Sequence, residues 1–84
     1  MEEQEIGVVD HFFSKISVGM IKLSGALAVG DTIHIKGKQA DFSQEVESMR
    51  IEFDNVIEAK DGDKVGIKVV QPLHTNDKVY KVVA

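Results

Sequence analysis

Cysteine and tryptophan are absent from the 84-residue chain, and proline occurs once, at Pro72. Without cysteine there is no disulfide framework and no thiolate nucleophile or metal ligand. A secreted domain this small often needs such staples, so their absence points to the cytoplasm. One proline and an apolar content of 43% argue against a disordered segment. No apolar run approaches the roughly 18 residues of a membrane-spanning helix. The first ten residues, MEEQEIGVVD, are acidic where a signal peptide would be basic. No membrane association is expected. Basic residues are the minority: ten Lys and Arg face fourteen Asp and Glu, for a net charge of −4. Broad nucleic-acid binding draws on phosphate neutralisation, and this balance speaks against it. However, Glu2, Glu3, Glu5 and Asp10 crowd the start, so the remainder is near balance and can hold a local basic face.

The length fits one domain, residues 1–84, with 1–5 expected as a loosely ordered acidic tail. A domain of this size buries roughly 60–65% of its unfolded surface, which leaves little volume for a deep catalytic cavity.

Apolar residues alternate rather than repeat at helical spacing. Ile33 and Ile35 alternate with His34 and Lys36; Val65, Ile67 and Val69 with Gly66 and Lys68; Met49, Ile51 and Phe53 with Arg50 and Glu52. A period of two means strands with one buried face. Strands are expected near 5–13, 16–23, 32–37, 44–54, 64–71 and 78–83, with one helical turn around Val56–Lys60. Short connections imply antiparallel neighbours. Gly30-Asp31, Gly62-Asp63 and Asn76-Asp77 each precede a strand and are expected as entry turns. Parity slips between Met20 and Ile21, and between Ser48 and Met49; a β-bulge in each strand would reset it. Short strands, regular turns and bends suggest a closed or nearly closed barrel.

Chemistry-bearing motifs are scarce. No glycine cluster at phosphate-loop spacing precedes a helix. His11, His34 and His74 lie 23 and 40 residues apart, without zinc-ligand spacing. Asp54, Glu58, Asp61 and Asp63 miss calcium-loop spacing, and turn chemistry explains the last two. No Ser/His/Asp set stands out. The expectation is a non-catalytic protein with no metal and no cofactor.

Three segments carry a resemblance: Leu27 to Gly37 (LAVGDTIHIKG), Val46 to Met49 (VESM) and Glu58 to Ile67 (EAKDGDKVGI). In that order they resemble the second domain of elongation factor Tu and its relatives, over about Ile6 to Val82. The resemblance implies a six-stranded antiparallel closed β-barrel without its GTPase. Similar isolated barrels are elongation-factor-like proteins, and a related domain ends some collagenase-like peptidase family proteins that act in RNA modification. The resemblance also implies that Glu47 and Arg50 match a glutamate and an arginine placed at the 3′ adenosine of aminoacyl-tRNA.

The richest short segment is His11-Phe12-Phe13-Ser14-Lys15. Adjacent aromatics in a strand face opposite sides, so one ring should enter the core. The other is free to stack a base, anchor a protein or cover a barrel mouth. Lys36, Lys38, Arg50 and Lys68 form a candidate basic rim, or solvated strand cations that discourage edge pairing. The resulting expectation is a binding module contacting a tRNA acceptor end or ribosomal RNA. The alternative is a protein-interaction barrel serving a GTPase or an RNA-modification enzyme.

Overall fold

A computed structural model describes residues 2–38, 41–52 and 54–82. Among them are ten strands: β1 (Glu3–Phe13), β2 (Val18–Leu23), β3 (Leu27–Ala28), β4 (Thr32–Lys36), β5 (Asp41–Glu45), β6 (Met49–Ile51), β7 (Asp54–Val56), β8 (Glu58–Ala59), β9 (Lys64–Lys68) and β10 (Lys78–Val82). Eight form an antiparallel sheet in the order β5-β4-β10-β1-β2-β9-β6-β7, while β3 and β8 pair separately. The all-β antiparallel expectation holds. The six-stranded closed barrel does not: among the described residues no ladder joins β5 to β7. No helix of the described residues is long and apolar enough to cross a membrane. The expected helical turn at Val56–Lys60 is instead the end of β7 followed by β8.

Alternation builds the core. In β4, Ile33 and Ile35 are buried between exposed Thr32 and Lys36; in β9, Val65 and Ile67 are buried between exposed Lys64 and Lys68. Ile6, Val9, Ile21, Leu23 and Val79 complete the centre of the cluster. Each such side chain contributes about 1.5–3 kcal/mol on leaving water.

The three turn signatures share one construction. Asp31 N–H donates to Ala28 O (3.1 Å), Asp63 N–H to Lys60 O (3.0 Å) and Asp77 N–H to His74 O (3.1 Å). Each aspartate carboxylate then accepts the N–H three residues back: Ala28 (2.9 Å), Lys60 (3.0 Å) and His74 (2.9 Å). The third position is left-handed each time, with φ of 98° at Gly30, 93° at Gly62 and 75° at Asn76. Glycine and asparagine adopt that conformation at least cost. Every turn also clasps one buried residue of a distant segment by a pair of backbone hydrogen bonds. Val46 is held by Gly30 and Asp31, Leu23 by Gly62 and Asp63, and Val9 by Asn76 and Asp77.

Several expected boundaries move. Residues 3–5, expected as a loose tail, pair with Val82, Lys81 and Tyr80 of β10. The expected strand 44–54 is instead β5, an irregular Val46–Ser48 segment, β6 and β7, with Glu52 at φ 56° in the turn. Its parity slip is therefore a break that delivers Val46 to its turn, not a bulge. Phe53 and Val83 lie outside the described residues. The register shifts fall in β1, between Glu5 and Gly7 and between Val9 and His11, and not in β2. The apparent slip in β2 arises because both its faces are apolar: Gly19, Ile21 and Leu23 are buried, while Val18 and Met20 are half-buried on the outside.

At one end of the sheet the Gln44 side chain of β5 spans to the segment after β9. Its Nε2 donates to Lys68 O at 2.8 Å and its Oε1 accepts Val70 N–H at 3.0 Å.

Candidate functional site

The register of five neighbouring strands assembles one outer face. His11 of β1 pairs with Met20 of β2, Met20 with Gly66 of β9, Gly66 with Arg50 of β6, and Arg50 with Asn55 of β7. Two residues along, Phe13 pairs with Val18 and Val18 with Lys68. Side chains in such rows are direct neighbours. Within β1, His11 meets Phe13 edge-on at 4.5 Å between ring centroids and 64° between planes.

These rows enclose a groove of about 610 Å³. Phe13, Ile16, Val18 and Met20 make its apolar wall; Ser48, Arg50, Glu52 and Asn55 make its polar wall. Gly66 lies between Met20 and Arg50 and contributes no side chain, and the Val18 side chain leans over it, 3.3 Å from where a β-carbon would be. Phe13 is 41% and Ile16 61% exposed, apolar surface that faces the groove rather than the core. Arg50 is steadied by a hydrogen bond from its Nε to Asn55 Oδ1 at 3.3 Å. A second cavity, about 250 Å³, adjoins through Ser48 and Lys68 and is lined by Glu45, Glu47 and Val70.

The residues singled out from the sequence divide. Phe13, Arg50 and Lys68 line the groove, and His11 supports Phe13. Phe12 packs half-buried on the core, as strand alternation requires. Lys15 is exposed in the turn between β1 and β2. Glu47 faces the second cavity, apart from Arg50. The expected rim of Lys36, Lys38, Arg50 and Lys68 does not assemble. Lys36 pairs with Lys78 and Asp41, and β10, β1 and β2 lie between its strand and β9. Lys38 follows it, exposed. Among the described residues, no group of three or more His, Cys, Asp and Glu is placed to hold a metal ion.

A second cluster has no signal in the sequence. His34 Nδ1 lies 2.6 Å from Glu3 Oε2, and its Nε2 lies 2.5 Å from Asp41 Oδ1. The imidazole thus ties β1, β4 and β5 together. The Asp41 contact and then the Glu3 contact raise the His34 pKa above its ordinary 6.5. The same His34 contact holds the Asp41 carboxyl below its ordinary 3.8. The carboxylates sit on opposite nitrogens of one ring, so they do not converge on a common point.

No family model matches the chain. An uncharacterized protease of Methanocaldococcus jannaschii is 43% identical over 77 residues, which make up 90% of this chain and 19% of that protein. A collagenase of Porphyromonas gingivalis is 33% identical over 72 residues, 83% of this chain and 20% of the collagenase. The chain spans about a fifth of the length of these curated relatives. Among solved structures, the C-terminal domain of a Geobacillus thermoleovorans protein assigned as a U32 peptidase superimposes with a TM-score of 0.90. That match has 19% identity and covers 95% of this chain and 93% of the other. At such identity the likeness shows the fold alone.

These findings correct the identification with the second domain of elongation factor Tu. The relatives are named as a protease and a collagenase, and the fold is that of a U32 peptidase C-terminal domain. The RNA-binding expectation, including Glu47 and Arg50 at a tRNA end, rested on the translation-factor resemblance and falls with it. The expectation of a non-catalytic protein is corrected too, since the relatives that this chain matches over about a fifth of their length are named as a protease and a collagenase. The chain is similar to a β domain found in peptidases and collagenases, and differs from a translation-factor barrel that has lost its GTPase.

Proposed function

We propose that this chain is the polypeptide-handling β module of a U32-type peptidase, holding extended substrate for a catalytic unit that makes up the rest of such proteins. The observation that carries this reading is the groove over Gly66. It offers a floor without a side chain of its own at Gly66, one apolar wall and one polar wall on a regular sheet face. Concave apolar surface with a few placed polar groups is the usual form of a binding site. Exposed Phe13 and Ile16 match the aromatic and aliphatic anchors that dominate polypeptide recognition. The names protease and collagenase on the relatives agree with a polypeptide as the bound species.

The same reading takes the sheet to be curled into a barrel whose ends meet through Gln44. Its two hydrogen bonds to Lys68 and Val70 support this. Curling makes the outer face of β2, β9 and β6 a rigid platform.

An amide chemical-shift titration of the labelled chain with peptides from digested gelatin tests the proposal. Shifts concentrated on Met20, Gly66 and Arg50 are expected. Spectra unchanged by saturating peptide would remove the groove as a polypeptide site.

A further inference from the structure

We infer that the groove selects extended peptides in which an apolar residue and an acidic residue are two positions apart. The inference rests on the peptide-binding reading above and adds the substrate class.

Charge and register carry it. Lys64, Lys78 and Lys81 each have a carboxylate within 3.8 Å or less. Among the described residues, Arg50 and Lys68 have none within salt-bridge distance, as is also true of Lys15, Lys22, Lys36, Lys38 and Lys60, but those two are the cations that line the groove. Arg50 and Lys68 thus face a groove whose own lining holds one acid, Glu52, while Lys68 also borders the cavity of Glu45 and Glu47. The groove lining by itself is net positive. A carboxylate on an occupant would complement it.

Spacing then specifies the arrangement. Gly66 and Lys68 are two residues apart on one face of β9. An extended peptide lying along β9 repeats its side chains on one side at the same interval, roughly 6.5–7 Å. One side chain comes over Gly66, where it meets Val18 and Met20 on one side and Arg50 on the other. That position takes an apolar group. The next side chain on the same side comes over Lys68, where a carboxylate gains a charge-assisted contact. Arg50, alongside Gly66, adds to the field that favours the acid. Either chain direction satisfies the spacing. A nucleic acid would also supply negative charge. However, it needs a track of cations along its backbone, and here two cations border a wall of Phe13, Ile16, Val18 and Met20.

The test uses fluorescence anisotropy of the chain with three labelled heptapeptides that differ at one position. The first carries Leu-x-Glu, the second Leu-x-Gln and the third Leu-x-Lys. The Glu peptide is expected to bind about tenfold more tightly than the Gln peptide, and to weaken as salt rises. The Lys peptide is expected to bind least. Lys68→Gln and Arg50→Gln, both exposed and clear of the core, should erase the preference for the Glu peptide over the Gln peptide. Gly66→Val should weaken all three peptides by filling the floor, with the amide spectrum reporting an intact fold. Equal affinity for Glu and Gln peptides would overturn the inference and leave the polypeptide reading standing. Binding of none of the three would take that reading down as well. Displacement of the Glu peptide by a single-stranded oligonucleotide at lower concentration than by unlabelled peptide would also overturn it.

Discussion

Gly37 lies against the carboxylate of Asp77, so closely that a β-carbon at position 37 would overlap both its oxygens and its Cγ. Asp77 is the only charged side chain buried among the described residues, at 6% exposure, and it caps His74 N–H at 2.9 Å. Gly37→Ala is therefore expected to displace Asp77 and open the turn that clasps Val9. Overpacking of this kind costs about 1–3 kcal/mol. Urea denaturation should show a lower midpoint with an unchanged slope. The double variant Gly37→Ala/Asp77→Ala should cost less than the two single changes summed, because the clash needs both groups. Strict additivity would show that the two residues do not press on each other.

The turns give a prediction of backbone strain alone. A β-carbon added at Gly30 or Gly62 meets nothing within 4 Å, yet φ there is 98° and 93°. Gly62→Ala should thus lose about 1–2 kcal/mol purely from the left-handed conformation. Asn76, at φ 75° in the equivalent place, should accept glycine with little change. Thermal unfolding of Gly62→Ala and Asn76→Gly side by side checks this. Equal destabilisation by both would deny that conformation is the cause.

That shared construction explains both what the sequence discloses and how it misleads. Gly30-Asp31 and Gly62-Asp63 were legible as strand-entry turns because glycine and a capping aspartate are local chemistry. The same residues carried much of the likeness to translation factors. Asn76-Asp77, outside the three segments that carried the likeness, is built identically. The motif therefore reports a way of entering a strand in a small antiparallel sheet more than it reports descent. Alternation in β4 and β9 was legible for the same local reason. The bulges of β1 were not, since an unpaired Asp10 shows only against its partner strand. The outer apolar row of Val18 and Met20 looked like a slip in parity because a strand with two apolar faces has no visible period. His34 gave no sign at all: its partners are 31 and 7 residues away, and only the sheet order joins them.

The His34 cluster sets a pH window for stability. Its raised pKa means that the folded state binds a proton more tightly than the unfolded chain. The resulting stabilisation is complete below 6.5 and is lost as pH rises through the higher folded value. Asp41 acts in the opposite sense. Its contribution is present above 3.8 and is lost as pH falls through the lower folded value. Lys36 adds a weak favourable field at Asp41. The clasp is therefore strongest between those limits. The melting temperature of the parent should fall on the alkaline side of 6.5, and that of His34→Gln should not. Parallel curves for the two proteins would exclude His34 as the titrating group.

Gln44 offers the sharpest check on how β5 is tied to the segment after β9. Its side chain supplies the partner for Val70 N–H and occupies Lys68 O, although β5 forms no ladder with that segment. Gln44→Leu preserves the bulk and removes both hydrogen bonds. It should cost about 0.5–1.5 kcal/mol, the net worth of such a hydrogen bond where water reaches the freed groups. The more specific readout is hydrogen exchange at Val70. In the parent this amide should be protected despite 73% exposure of its residue, because a side chain rather than a strand holds it. In Gln44→Leu its protection should vanish while Ile33 and Ile67, in the ladders, keep theirs. Loss at Val70 alone would assign the tie between β5 and the segment after β9 to Gln44. Equal protection in both proteins would mean that other contacts hold that segment, and a Val70 amide already unprotected in the parent would mean that it parts from β5 in solution.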